Sequence, residues 1–174
     1  MLKYIAVIGI AGVLVACTAT QKGAPRSAAR PHSFEIYLVN FTPDQPWTPA
    51  TLGDLADLRL EKEPVLSDAD ILSYNFETHS FLVRQSALSR LPEPPVWHKP
   101  FVVVAEGQRI YVGAFSTTLS SFSSSVPSII VSFRDFKNEL TICRAYPAPG
   151  FATGTDPRSD DRIRAALAGL HKLK

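Results

Sequence analysis

The sequence lacks the residue patterns on which most metal, nucleotide and nucleic-acid sites depend. Its four histidines are scattered and no His-Glu-x-x-His pair occurs, so the usual signal of catalytic zinc is absent. Its nine glycines never take the spacing of a phosphate-binding loop. The formal charge is only +2, without the clustered basic face that a nucleic-acid partner needs. We therefore expect no metal, no cofactor and no nucleic-acid partner.

Cysteines and long apolar runs are scarce as well. The two cysteines are Cys17 and Cys143, so at most one disulfide can form. The apolar run at the N-terminus covers only residues 4–16. A transmembrane helix needs about 20 apolar residues, so this run is too short for one and has the length of a signal-peptide core.

The N-terminal residues resemble the signal of bacterial lipoproteins. A positive start at Lys3 precedes the apolar run, which ends in Leu14-Val15-Ala16 directly before Cys17. In that family the cysteine thiol receives a diacylglycerol, a peptidase cuts before the cysteine, and the new N-terminus is acylated. The resemblance implies a signal peptide at 1–16 and a membrane anchor on Cys17. Thr18 stands where an aspartate commonly retains such proteins in the inner membrane, which implies the outer membrane, facing the periplasm.

The mature chain divides into a tether and one domain. Residues 17–33 comprise the lipidated cysteine and a flexible tether, because 18–33 contain no large apolar residue. Residues 34–174 have the length and apolar content of a single globular domain. With Cys17 lipidated, Cys143 has no disulfide partner, and its apolar neighbours predict a buried, inert thiol.

Alternating apolar residues predict an α+β fold with a mainly antiparallel sheet. We expect an interior strand at 34–41, one hairpin from 71–76 and 80–84, and another from 101–105 and 109–115. A short middle helix is predicted at Ser86–Leu91, with Ser86 as its cap. Asp156-Pro157 predicts the start of a C-terminal amphipathic helix, which packs its apolar face on the sheet. That face consists of Ile163, Ala166, Leu167, Leu170 and Leu173.

Three segments in residues 63–113 add a second resemblance. They are Glu63-Pro64-Val65-Leu66 with the acidic turn after it, Ser86–Leu91, and the valine-rich hairpin 99–111 with Glu106-Gly107 at its turn. In this order they resemble the periplasmic head domain of SecD, a subunit of the bacterial protein-export machinery. The resemblance implies a small α+β fold and a surface that contacts polypeptide. SecD crosses the membrane repeatedly, whereas this chain has no apolar run of that length, so export activity is not implied.

The segment 116–128 is the main candidate for a binding surface. It carries seven serines and two threonines and is predicted to be a loop beside the second hairpin, where it can receive an extended peptide or a glycan. The predicted partner-binding residues are Tyr111, Phe115, Thr118, Ser120 and Phe122. The alternative is a solvated connection whose hydroxyls satisfy their own turns, with the aromatic residues in the core.

The leading interpretation is therefore a non-enzymatic envelope lipoprotein that binds a protein partner as an accessory or structural component. A second hypothesis is an envelope hydrolase. It would draw its nucleophile from Ser120–Ser125, its base from His79 or His98, and its acid from Asp68 or Asp70. No Gly-x-Ser-x-Gly elbow frames these serines, and paired aspartates more often cap a turn. A third hypothesis is an inhibitor that inserts the proline-rich loop 92–100 into the cleft of a secreted enzyme.

Overall fold

An eight-stranded sheet dominates the fold. The computed structural model describes residues 32–41, 44–131 and 138–174. The strands are β1 (Phe34–Leu38), β2 (Leu66–Ser67), β3 (Ile71–Asn75), β4 (Ser80–Val83), β5 (Lys99–Ala105), β6 (Gln108–Ser116), β7 (Ser128–Ile130) and β8 (Glu139–Cys143). Their order across the sheet is β2-β1-β5-β6-β7-β8-β4-β3. Within these ranges the α-helices are three and short: α1 (Pro49–Leu52), α2 (Gln85–Leu88) and α3 (Asp161–Gly169).

Both predicted hairpins are confirmed. β3 pairs with β4 in antiparallel fashion, and β5 pairs with β6 along its whole length, with a bulge between Val103 and Val104. β1 lies between β2 and β5, so the prediction of an interior strand at its position is also confirmed, although the strand ends at Leu38. Every neighbouring pair in the sheet is antiparallel except β6 and β7, which are parallel.

The central strand β5 is buried on both faces. Phe101, Val103 and Ala105 belong to the main core, whereas Val102 and Val104 belong to a smaller cluster on the other face. That smaller cluster is covered by leucines from the excursion between β1 and β2, residues 49–60. Burial on both sides explains why this strand is a continuous apolar run rather than an alternating one.

Two helix boundaries differ from the sequence prediction. Asp156-Pro157 begins a single 3-10 turn, Pro157–Ser159, and α3 starts after Asp160, whose carboxylate accepts the N–H of Arg162 at 2.9 Å. The extended backbone of Asp160, with ψ of 132°, separates the two helical pieces. The prediction that Ser86 caps α2 is also wrong. The cap position is Arg84, directly before the helix, and its side chain makes no capping hydrogen bond.

Helix α3 packs against the main core, and the residues after it form hydrogen bonds with the strand at one edge of the sheet. Ile163, Ala166 and Leu167 are buried in the same cluster as the aromatic residues of β1, β4 and β5. Beyond the helix, the N–H of Tyr74 donates to the carbonyl of Lys172 at 2.7 Å, and the N–H of Lys174 donates to the carbonyl of Tyr74 at 3.0 Å. The chain therefore lies against β3, the last strand of the sheet.

Candidate interaction surface

The serine-rich residues 117–127 form the connection between the parallel strands β6 and β7. Parallel neighbours need such a crossover, because the chain must return to the end of the sheet at which it started. Ser124 and Tyr146 form an isolated bridge, with N–H to carbonyl distances of 2.9 and 3.1 Å. The Tyr146 hydroxyl also donates to the carbonyl of Ser120 at 3.1 Å. The crossover is thus attached to the chain segment that follows β8.

The side chain of Ser120 joins the crossover to the proline-rich loop. Its Oγ accepts the N–H of Phe122 at 3.1 Å and donates to the carbonyl of Val96. Val96 itself lies in a tight turn, closed by the N–H of His98, which donates to the carbonyl of Pro95 at 2.9 Å. The serine-rich crossover and the proline-rich loop are therefore in direct contact.

His98 provides a second hydrogen bond between the proline-rich loop and the crossover. Its Nε2 donates to the carbonyl of Phe122 at 3.1 Å, so that nitrogen carries the proton. The ring packs edge-on against Tyr146, with 5.5 Å between the ring centroids. Burial lowers the pKa of His98, and hydrogen bonds to the backbone of Phe122 and Ser123 oppose that shift. Its Nδ1 is buried and has no hydrogen-bond partner among the described residues.

Three apolar side chains on these loops remain exposed, and we name Val96, Leu119 and Phe122 the tip patch. Their exposed fractions are 40%, 76% and 39%. Residues 116–131 contain no charged residue. Aromatic residues enriched over charged ones are typical of the centre of protein interfaces. The tip patch is therefore the apolar part of a surface whose backbone is already fixed by hydrogen bonds.

The predicted binding residues divide into two groups. Ser120 and Phe122 are adjacent on the crossover, and Thr118 is exposed beside them. Tyr111 and Phe115 instead point into the main core, with exposed fractions of 6% and 0%. Because no partner can reach side chains so deeply buried, these two residues are corrected to core residues. Leu119 and Val96, which no local sequence pattern singled out, are the other exposed apolar side chains on these two loops.

The residues of the hydrolase hypothesis do not form a triad in this arrangement. His79 is buried, and its Nδ1 lies 3.2 Å from the Tyr74 hydroxyl. Asp70 accepts the N–H of Ser67 at 2.8 Å and pairs with Arg90 at 2.6 Å, which is the geometry of a turn cap. Within the described residues, no hydrogen bond joins the hydroxyl of a serine in 120–125 to either histidine.

A cleft of about 400 Å³ lies along the second half of the crossover, and we name it the Val112 cleft. Val112 of β6 lines it, with residues 125–127 alongside. Asp54 and Arg144 also line it, and Arg144 Nη2 donates to the carbonyl of Gly154 at 3.0 Å. A volume of this size is within the range of ligand sites. Its residues come from parts of the chain far apart in sequence, so no local pattern could have predicted it.

Several sequence predictions lie outside the described residues, among them the signal peptide 1–16, Cys17 and most of the tether. Cys143 is a free thiol that is only half buried, not fully buried as expected. In ranges 32–41, 44–131 and 138–174, no three His, Cys, Asp or Glu side chains cluster closely enough for a metal ion. Nor does any helix in that part of the chain have the length and apolarity needed to cross a membrane.

Comparisons with known proteins gave no match, whether with family models, curated proteins or solved structures.

Proposed function

We propose that this chain is a lipid-anchored protein of the bacterial cell envelope whose folded part binds a protein partner. In this proposal Cys17 carries the lipid, and residues 18–33 tether the domain to the outer membrane on its periplasmic side. The sequence Leu14-Val15-Ala16-Cys17, directly after a short apolar run, supports the anchor. The role is that of an accessory or structural component rather than an enzyme.

The observation that carries the binding role is the tip patch. Large apolar side chains in mobile loops are common, but these three sit on two loops that Ser120 and His98 hold together. A surface whose backbone is ordered beforehand loses less conformational entropy when it binds. The absence of charge in residues 116–131 further favours an apolar protein contact.

The geometry favours binding over the two alternatives. Ser120 and His98 hydrogen-bond to backbone carbonyls, those of Val96 and Phe122, rather than to each other. An inhibitory loop usually enters a protease cleft as an extended strand, whereas Val96 lies in a closed turn. Both alternatives would therefore require these loops to rearrange.

Photo-crosslinking in cells tests the binding role. A photoreactive amino acid at position 119 or 122 should give one dominant protein adduct, because both side chains are exposed in the tip patch. Leu72, which is 44% exposed on β3, provides a control position of similar exposure elsewhere on the sheet. The adduct from position 122 should disappear when Leu119→Ser is introduced. Equal adduct patterns from positions 72, 119 and 122 would contradict the proposal.

A separate experiment tests the anchor. Replacing Cys17 by serine should prevent cleavage and release the protein from the outer-membrane fraction, because serine cannot form the thioether. A chain that is still cleaved and still retained would show that Cys17 does not carry the anchor. Since this variant leaves the tip patch unchanged, the two parts of the proposal can fail independently.

A further inference from the structure

The Val112 cleft is bounded by three stretches of chain that are far apart in the sequence. The first wall comes from residues 49–55, in the excursion between β1 and β2, and the second from residues 125–127 of the crossover. The third wall consists of Arg144, directly after β8, and residues 152–157. None of the three tip patch residues lines the cleft, so it is a separate feature of the surface.

Hydrogen bonds fix the first two walls to β6. Arg109 Nη1 donates to the carbonyls of Leu55 and Ala56, both at 2.7 Å. The N–H of Ala114 donates to the carbonyl of Pro127 at 2.9 Å. Because both donors belong to the same strand, the two walls keep a fixed position relative to the Val112 side chain.

The third wall is held by Arg144 itself. Its Nη2 donates to the carbonyl of Gly154 at 3.0 Å. Gly154 has a φ of 70°, a left-handed conformation that glycine adopts without strain, and its neighbours Thr153 and Thr155 both line the cleft. The cleft is therefore formed before any ligand arrives, and a ligand that enters it does not have to order the walls.

Two opposite charges line the cleft without neutralising each other. Asp54 is exposed on the first wall, and Arg144 is half-buried on the third. They form no ion pair with each other or with any other described side chain. Leu55, Val112 and Val126 add an apolar lining. A complementary ligand is consequently a small zwitterion, with a cation at one end, an anion at the other and an apolar middle.

We propose that the Val112 cleft binds a short peptide with free termini, of two or three residues. The ammonium group of the peptide lies against Asp54 and its carboxylate against Arg144, whose planar guanidinium matches a carboxylate. The apolar side chains of the peptide contact Val112 and Val126. A volume of about 400 Å³ is near the lower end of the range for ligand sites, which suits a small molecule rather than a folded partner.

The probes for the test are di- and tripeptides of leucine and valine, each also prepared with an acetylated N-terminus or an amidated C-terminus. Isothermal titration calorimetry measures their binding to the purified full chain in detergent. We expect the free peptides to bind with dissociation constants of about 1 mM or lower. Amidation should weaken binding about tenfold, because Arg144 is half-buried, and acetylation about threefold, because water screens the exposed Asp54.

Matched variants assign each terminus to its side chain. Asp54→Asn should bind free and acetylated peptides equally, and Arg144→Gln should bind free and amidated peptides equally, because each variant removes the charge that the cap would have affected. Arg90→Gln, which breaks the ion pair with Asp70 and does not line the cleft, should retain the affinity of the unaltered chain for every probe.

The capped peptides test the unaltered protein, so the result does not depend on how the variants fold. No binding of free peptides at about 10 mM would overturn the inference, as would a capped peptide that binds as tightly as its free form. If Leu119→Ser abolished binding while Asp54→Asn and Arg144→Gln did not, the cleft would be refuted and the tip patch would be the peptide site. Crosslinking from the tip patch is unaffected by any of these results, so the two proposals fail separately.

Discussion

Gly113 is a position in the sheet where one added methyl group should have a large effect. A Cβ there would overlap the ring carbons Cζ and Cε2 of Phe101 and would approach the Pro127 oxygen to 2.7 Å. The Phe101 ring cannot move aside freely, because it is fully buried and its centroid lies 4.9 Å from that of Phe115. Overpacking of this kind typically costs about 1–3 kcal/mol. We expect Gly113→Ala to be at the upper end of that range, since one of the neighbours is backbone.

Urea denaturation and thermal denaturation, both followed by circular dichroism, measure this cost as a free energy of unfolding and as a melting temperature. In a domain of this size, each kcal/mol lowers the melting temperature by about 2–4 °C, so Gly113→Ala should lower it by about 4–12 °C. Gly150→Ala is the matched control, because no heavy atom lies within 4 Å of its added Cβ. A loss of less than about 0.5 kcal/mol for Gly113→Ala, equal to that of the control, would refute the reasoning.

A double-mutant cycle identifies the Phe101 ring as the source of the overlap. Phe101→Leu alone should destabilise the protein, because it leaves a cavity in the core. Combined with Gly113→Ala, the loss should be smaller than the sum of the two single losses by about 1 kcal/mol, since the smaller side chain makes room for the methyl group. Strict additivity would mean that the Pro127 carbonyl, and not the ring, sets the limit.

Three further predictions concern charge and hydrogen bonding. Hydrogen bonds from Arg158 lower the pKa of Asp156 to about 2, so this carboxylate stabilises the fold above about pH 4 and loses that effect as the pH falls towards 2. After allowance for solvent screening, Asp156→Asn should remove about 1 kcal/mol at neutral pH and almost nothing at pH of about 2; a pH-independent loss in urea titrations would contradict this. Burial lowers the pKa of His98, so the unfolded chain takes up more protons below about pH 6.5 and stability should fall as the pH decreases through that range. His98→Asn should flatten that part of the stability curve, and an unchanged slope would show that this histidine is not responsible. Ser120→Ala should speed amide exchange at residue 122 by roughly tenfold, because that N–H loses its acceptor, whereas Ser121→Ala should leave it unchanged.

Local patterns in the sequence predicted much of the sheet. The alternation and short turns around 71–84 and 101–115 indicated hairpins, and both are present, because each depends on residues close together in the chain. The parallel pairing of β6 with β7 could not be predicted in this way. It depends on where the crossover 117–127 leads the chain, and a serine-rich composition does not encode that path.

The candidate site was predicted only in part, for a similar reason. Ser120 and Phe122 were selected for their composition and lie on the exposed crossover. Tyr111 and Phe115 were selected as aromatic anchors, but alternation alone does not indicate which face of β6 is turned inward. At the C-terminal helix, Asp156 and Asp160 are both able to cap a first turn. Only the extended backbone at Asp160 decides which of them begins α3.

The contact of residues 172–174 with β3 also bears on how this protein behaves at high concentration. An uncovered outer strand presents a row of free N–H and C=O groups that can recruit a second molecule edge to edge. Here the chain's own residues occupy two such groups at Tyr74, and Leu173 forms a parallel bridge beside it. Colloidal stability therefore depends in part on three residues outside every strand and helix, and a fusion partner or affinity tag placed there would act directly on that protection.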